Sequence, residues 1–306
     1  MKFLIVLPEH NYYLWQMLVQ INNLKKFGFD KDTIYIIGKS GNNIRSKNLD
    51  NIIKYSKSKC DFYLYKDDRK DYTYSPSLTA HLLSKFFTDY PEYESETFFY
   101  IDPDVIFNRK IRFSDLEKND VWYLSDTRSY IGTKYIKSKG EELLKEMCDV
   151  VGIDPEIVEN NDENAGGAQL LMKNINSNFW KKVEKDSINL YKLMENTKDK
   201  YSPKAPIQSW TAEMWSLLWN AWLFGHKTKI IKRFNFCWAT DPISKWDKCG
   251  IYHNAGVVKD DNILFMKTKY QTSPFNEKLK CSPKYCSSKY VEEIKETKKN
   301  FKNILF

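Results

Sequence analysis

No apolar run in this chain is long enough to cross a bilayer, which takes roughly 20 consecutive apolar residues. The opening Met1-Lys2-Phe3-Leu4-Ile5-Val6-Leu7-Pro8 is too short for a signal peptide and has no small-residue cleavage site. It reads as a buried first strand. No C-x-x-C pair occurs among Cys60, Cys148, Cys237, Cys249, Cys281 and Cys286, and Cys281 to Cys286 lacks the nearby histidines of a zinc finger. These absences argue against a membrane protein, a disulfide scaffold and a zinc module. The expectation is a cytoplasmic protein (host cytoplasm if viral) with reduced thiols and no membrane partner. Arginine is confined to Arg45, Arg69, Arg109, Arg112, Arg128 and Arg233, so lysine carries the net charge of +8. No internal repeat and no long linker breaks the sequence.

What is present is globular. The chain has 306 residues, 42% of them hydrophobic, which is enough for a substantial core. Aromatics reach 15%. Tyr and Trp pair an apolar body with a polar tip and suit stacking on sugars and bases. An AT-rich coding bias accounts for much of the Tyr, Phe and Lys, though not for the nine Trp. A basic surface steers an anionic nucleotide or a nucleic acid.

Strand and helix patterns alternate through the first hundred residues. Phe3 to Leu7 reads as a strand. Asn11 to Phe27 reads as a helix with Leu14, Leu18, Ile21 and Leu24 on its apolar face, closed by Gly28. Thr33 to Ile37 and Phe62 to Tyr65 are strands. Ser75-Pro76 opens a helix running to about Thr88, and Phe98 to Ile101 is a strand. This β-α-β-β-α-β order predicts a doubly wound α/β sheet that binds ligands at the carboxyl ends of its strands. Trp122 to Leu124, Ala168 to Met172, Thr228 to Ile231, Gly250 to His253 and Ile263 to Phe265 are further strands, with a polar loop from Asn161 to Gly167. Glu141 to Val151, Phe179 to Glu195 and Trp210 to Phe224 are helices, and a charged helix falls near Val291 to Phe301. The expected organisation is one domain over 1–266 with a basic extension over 267–306.

The most informative stretch is Phe98 to Phe107, an apolar segment carrying Asp102 and Asp104 around Pro103. Burying two unpaired acids is very costly, so a partner is required. In an extended segment, side chains two apart lie on the same side. Two hard oxygen ligands at a strand end suit Mg²⁺ or Mn²⁺, and through it a diphosphate. That is the chemistry of a DxD site in a nucleotide-sugar-dependent glycosyltransferase. D-P-D also makes a good surface turn.

Four other features can carry chemistry. Ala165-Gly166-Gly167-Ala168-Gln169 offers paired glycines for close backbone approach and a neutral amide beside them. In Trp210-Thr211-Ala212-Glu213-Met214-Trp215, Glu213 stands on a helix almost encircled by apolar residues. His253 ends a short strand before Gly256 and is a candidate third metal ligand. Asp126-Thr127-Arg128 offers a carboxylate for sugar hydroxyls and a guanidinium for phosphate.

The order of Tyr100-Ile101-Asp102-Pro103-Asp104, the Gly-Gly strand, Trp210 to Met214, and Ile251-Tyr252-His253 resembles the hydroxyproline arabinosyltransferase and serine galactosyltransferase-like group over roughly residues 1 to 260. These are retaining enzymes of GT-A fold with relatives in bacteriophages. The resemblance implies a GT-A-like doubly wound mixed sheet flanked by helices. It makes Asp102 and Asp104 metal-binding acids, His253 the late histidine and Glu213 the glutamate of the E-M helix. It also implies that the first strand and the segment after Leu7, Pro8 included, hold the nucleotide base. Plant members carry membrane anchors and this chain has none, so a hydroxyproline acceptor is not expected.

The sequence therefore predicts a retaining glycosyltransferase using Mn²⁺ or Mg²⁺ and a nucleotide-sugar donor, a UDP-sugar first. Asp102, Asp104 and His253 hold the metal. Asp102, Asp126, Arg128, Gly166, Gly167 and Pro8 contact the donor. Gln169 or Glu213 supports the anomeric carbon, and the sequence does not rank them. The favoured acceptor is a hydroxymethylated pyrimidine such as 5-hydroxymethylcytosine in phage-type DNA. The alternatives are a protein or glycan acceptor, or a nucleotide- or DNA-binding module without turnover. Nucleotidyl transfer also uses paired aspartates, but no third acid stands close in sequence.

Overall fold

The computed structural model describes residues 1–39, 45–56, 59–259 and 263–301. In chain order, the first part comprises β1 (Lys2–Pro8), α1 (Asn11–Phe27), β2 (Thr33–Lys39), α2 (Lys47–Ser56), β3 (Cys60–Lys66), α3 (Leu78–Asp89), β4 (Phe98–Tyr100) and β5 (Val105–Phe107). The middle comprises β6 (Val121–Asp126), α4 (Arg128–Ile131), α5 (Thr133–Lys137), α6 (Leu143–Val151), α7 (Pro155–Asn160), β7 (Gly166–Met172), α8 (Ser177–Thr197) and α9 (Ala212–Leu223). Then come β8 (Lys227–Ile230), β9 (Phe236–Trp238), β10 (Ile251–His253) and α10 (Ser287–Asn300). The chain forms two compact units. The first holds Lys2–Lys66, Ile101–Arg112 and Arg233 onward; the second holds Met1, Asp67–Tyr100 and Phe113–Lys232.

In the first unit, β1, β2 and β3 run parallel with β2 in the middle. All seven residues of β2 are buried, as expected of a parallel strand covered on both faces. Helix α1 begins where Nδ1 of His10 accepts the Tyr12 N–H and ends at Gly28, whose φ of 72° needs a residue without Cβ. Leu14, Leu18, Ile21 and Leu24 are buried, and so are Gln16, Gln20, Asn22 and Asn23. The amides have specific partners. Asn23 donates to the Phe107 carbonyl (3.0 Å) and accepts from its N–H (2.7 Å), tying β5 to the helix. Asn22 and Asn23 both donate to Glu293 of α10, at 2.7 and 3.2 Å. Strand β10 pairs antiparallel with β5 and parallel with β9.

In the second unit, β7 lies antiparallel to both β4 and β6, and β8 runs parallel to β6. This sheet is mixed, so the whole is an α/β fold. Helix α8 packs against both α3 and α9. Trp215 of α9 is fully buried and donates its indole N–H to the Ile131 carbonyl at 2.7 Å.

Several elements differ from the sequence reading. Helix α2 lies between β2 and β3, where two consecutive strands were expected. Its buried stripe is only Leu49, Ile52 and Ser56, too thin to stand out of a polar run. Ile263 to Phe265 is not a strand: Ile263 accepts from the Ser282 N–H and the Phe265 N–H bonds Ser287 Oγ, so neither joins a ladder. The loop expected from Asn161 holds a 3₁₀ turn at Asp162–Asn164, and β7 begins at Gly166 rather than Ala168. The segment around Asp102 is not extended. Strand β4 stops at Tyr100, residues 103 and 104 form a turn, and β5 restarts at Val105.

Candidate metal centre

Asp102 and Asp104 converge through a turn, not through strand alternation. The Val105 N–H bonds the Asp102 carbonyl at 3.2 Å, and Gln20 from α1 donates to the carbonyls of Asp102 (2.7 Å) and Val105 (3.1 Å). Tyr35 fixes that amide by donating to its Oε1 at 3.1 Å. The Ile101 N–H bonds the Leu4 carbonyl of β1 at 3.2 Å, which sets the turn at the carboxyl side of that strand.

His253 arrives by register. It pairs with Val105 across the β5–β10 ladder, one residue past Asp104, and with Trp238 of β9 on its other side. Its ring stacks on Trp238 with centroids 5.6 Å apart and 18° between planes. The Asn254 N–H bonds the Asp104 carbonyl at 3.1 Å. Nε2 of His253 thus lies 3.4 Å from an oxygen of Asp102 and 3.3 Å from one of Asp104.

Lys267 completes the cluster by donating to the second oxygen of Asp104. The segment that carries it is pinned where Trp15 donates its indole N–H to the Tyr270 carbonyl at 2.9 Å. Burial works against the Asp104 charge, but Lys267 and His253 more than offset it and hold the carboxyl well below its usual range. Burial raises Asp102 against the pull of His253; 43% of its side chain is still in solvent, which screens the effect. Asp104 keeps both Lys267 and His253 raised, despite their burial.

The donor set fits a hard or borderline dication. One oxygen from each acid and one imidazole nitrogen lie within 4.8 Å of one another, and among the described residues no other such group of His, Cys, Asp or Glu occurs.

The remaining expected residues lie elsewhere. Pro8 ends β1 in the first unit, beside Gly38. Asp126, Arg128, Gly166, Gly167, Gln169 and Glu213 all belong to the second unit. There, Asp126 faces Gly166 across the β6–β7 ladder and forms a bidentate pair with Arg128 at 3.0 and 2.7 Å. A Cβ on Gly166 would meet Leu124 Cβ at 2.5 Å, and one on Gly167 would meet Met214 Cε at 2.6 Å. These glycines therefore also admit the neighbouring strand and the E-M helix. Gln169 is fully buried, and its Oε1 accepts from Ser125 at 2.6 Å. Its Nε2 has no hydrogen-bond partner among the described residues. Ala168 between them has φ of 60°, beside a register shift in the ladder at Leu124/Ser125. A non-glycine residue in that region is strained, and such strain concentrates at functional sites. Glu213 is half-buried, with its N–H on the Tyr74 hydroxyl at 3.0 Å.

Sequence reasoning missed Lys267, Gln20 and Trp238. Lys267 sits in a lysine-rich run with nothing to single it out. Gln20 and its buried polar neighbours on α1 were the available signal, since amides at helical spacing inside an apolar pattern need partners.

No family model and no curated protein matches this chain. Among solved structures, the bifunctional glycosyltransferase WbbM, in its apo form, superposes with a TM-score of 0.51 at 10% identity, over 96% of this chain. The chain spans about half the WbbM chain, 49% of its length. The galactosyltransferase LgtC, in complex with donor and acceptor sugar analogues, gives 0.47 at 12% identity over the whole of both chains. Mouse xyloside xylosyltransferase 1 gives 0.43 at 11% identity, over 83% of this chain and 97% of its own. The WbbM match bears out the expected GT-A-like α/β fold.

Proposed function

We propose that this chain is a metal-dependent retaining glycosyltransferase that moves a sugar from a nucleotide-sugar, a UDP-sugar first, to a hydroxyl acceptor. The observation that carries the reading is the convergence of Asp102, Asp104 and His253 on one point. On this reading residues 1–266 form the transferase domain, and the basic extension 267–306 lends it Lys267. Asp102, Asp104 and His253 would hold Mn²⁺ or Mg²⁺, which would supply positive charge to offset that of the departing diphosphate.

The chain's own groups do the rest. Lys267 brings a positive charge beside the phosphates. Asp126, Arg128, Gly166, Gly167 and Pro8 are the proposed donor contacts. Gln169 or Glu213 presents an electron-rich group to the anomeric carbon. The carbon–oxygen bond to the diphosphate breaks as the acceptor oxygen bonds the same carbon on the same face, and the acceptor proton passes to the departing phosphate oxygen. Asp104→Asn and Asp104→Ala, assayed for donor hydrolysis and transfer at saturating Mn²⁺, test the metal role. The expectation is loss in both; full activity in either would remove it.

The proposed acceptor is a hydroxymethylated pyrimidine in DNA, in the cytoplasm of a host. Its support is the net charge of +8 and the lysine-rich end of the chain. Affinity for DNA that falls steeply as salt rises is the expected result. Absence of DNA binding at low salt would turn the reading to a protein or glycan acceptor.

A further inference from the structure

Residues 264–280 fold around a cavity of about 580 Å³. Every residue lining it comes from this one stretch, which belongs to the first unit. Asp102, Asp104 and His253 do not line it, so it is a second place and not the metal centre. Its volume falls in the usual range for small-ligand pockets, roughly 300–1,000 Å³. The walls are fixed. The Tyr270 carbonyl accepts from the Trp15 indole at 2.9 Å, and the Tyr270 N–H bonds the Lys267 carbonyl at 3.0 Å. The Phe265 N–H bonds Ser287 Oγ at 2.8 Å, and the Glu277 N–H bonds the Pro274 carbonyl at 3.1 Å. The Phe265 and Tyr270 rings stack with centroids 5.2 Å apart and 9° between planes. A wall held in this way has little entropy left to lose when a ligand arrives.

The charges around the cavity are unbalanced. Lys269, Lys278 and Lys280 line it against Glu277 alone. Lys278 and Lys280 are exposed, and among the described residues neither forms an ion pair. Exposed lysines elsewhere do: Lys145 with Asp149, Lys192 with Asp71 and Lys200 with Glu146. Cationic groups gathered at one cavity repel one another, and an anion between them relieves that repulsion. Ser273 Oγ accepts from the Phe275 N–H at 3.2 Å, which leaves its own O–H to donate. Ammonium groups and a hydroxyl are donors, and phosphate oxygens are acceptors that strengthen such bonds by their charge. Glu277 is the exception. Its carboxylate repels a phosphate but accepts from a hydroxyl. The set therefore suits a phosphate joined to a hydroxyl-bearing body better than bare phosphate. A nucleic acid strand calls for cationic groups spaced along a groove, whereas these gather at one cavity.

We propose that this cavity binds a small phosphate monoester of a hydroxylated molecule, a sugar phosphate in kind, with Lys278, Lys280 and Ser273 on the phosphate and Glu277 on a hydroxyl. The site stands apart from the transferase reading and does not depend on it.

The test is calorimetric titration of the metal-free full chain at low salt with glucose 6-phosphate, with inorganic phosphate, and with an oligonucleotide that has no terminal phosphate. Glucose 6-phosphate binds the wild type more tightly than inorganic phosphate does. The double variant Lys278→Gln, Lys280→Gln weakens it by about ten-fold or more, as loss of two charge-assisted contacts should. The double variant Lys298→Gln, Lys299→Gln removes the same charge from exposed positions of α10 and leaves the affinity nearly unchanged. Glu277→Gln tightens inorganic phosphate and erases the preference for the ester. Inorganic phosphate bound as well as the ester by the wild type would show an adventitious anion only and overturn the proposal. So would an affinity for the ester that survives in the Lys278→Gln, Lys280→Gln variant, or an oligonucleotide that displaces the ester from the cavity.

Discussion

Lys267 donates a hydrogen bond to a carboxylate oxygen of Asp104, 163 residues earlier in the chain. A side-chain ammonium thus lies on one of the acids assigned to the metal. The ammonium and a metal ion on the other oxygen compete for the charge of that one carboxylate. Replacing Lys267 by Met should tighten Mn²⁺ binding in the absence of donor by about three- to ten-fold, since charge-assisted hydrogen bonds are the stronger kind and this lysine is partly exposed. Calorimetric Mn²⁺ titration reads the change. Weaker binding would make Lys267 a support of the site and not a competitor.

Gln20 should matter to both stability and metal affinity. Gln20→Ala strips the hydrogen bonds on the Asp102 and Val105 carbonyls. Leaving such groups unsatisfied costs about 1–3 kcal/mol each at most, read by urea denaturation. Mn²⁺ affinity should fall as well, because the ligand-bearing turn loses its brace. Unchanged affinity in a destabilised variant would confine Gln20 to folding.

Ala168 offers a test of strain. Its φ of 60° costs an L-residue about 1–2 kcal/mol. Ala168→Gly should therefore hold or raise stability, by up to about 1 kcal/mol, although glycine ordinarily weakens a strand. Ala168→Val should lose about 2 kcal/mol or more, because a β-branched residue fits that region worst. Thermal unfolding of the pair decides it; a destabilised glycine variant would contradict the account.

The second unit contains a pH-sensitive contact. His81 bonds Asp68 through Nε2 at 2.8 Å and faces Glu184 through Nδ1 at 3.1 Å. Burial lowers its pKa, but Glu184 and Asp68 more than reverse this and leave it raised above 6.5. A raised folded pKa gives stability that is full below the unfolded value and fades as pH climbs through the folded one. The Tm gap between wild type and His81→Gln should be widest below pH 6.5 and narrow above it. A gap constant from pH 5 to 9 would show that the histidine acts by shape alone.

Much of the fold was legible where local signals were complete. Helix α1 matches its expected bounds because its apolar spacing and Gly28 both mark them. The acids and His253 were legible because charge inside apolar runs demands explanation. What joins them was not. Strands β5 and β9 are three residues each, too short for a periodic signal, yet their register with β10 is what delivers His253 to Asp104. The brace from Gln20 and the bond from Lys267 are long-range pairings that a pass along the chain does not reveal. Trp210 looked like one more apolar position of a buried helix, whereas it precedes α9 and stands in water.

The most direct test is a crystal grown with MnCl₂ and UDP and measured for manganese anomalous scattering. A single strong peak is expected, bonded to the carboxylates of Asp102 and Asp104 and to Nε2 of His253, with the diphosphate on its open side. A nucleotide bound with its manganese elsewhere, and those three side chains ligating nothing, would contradict it.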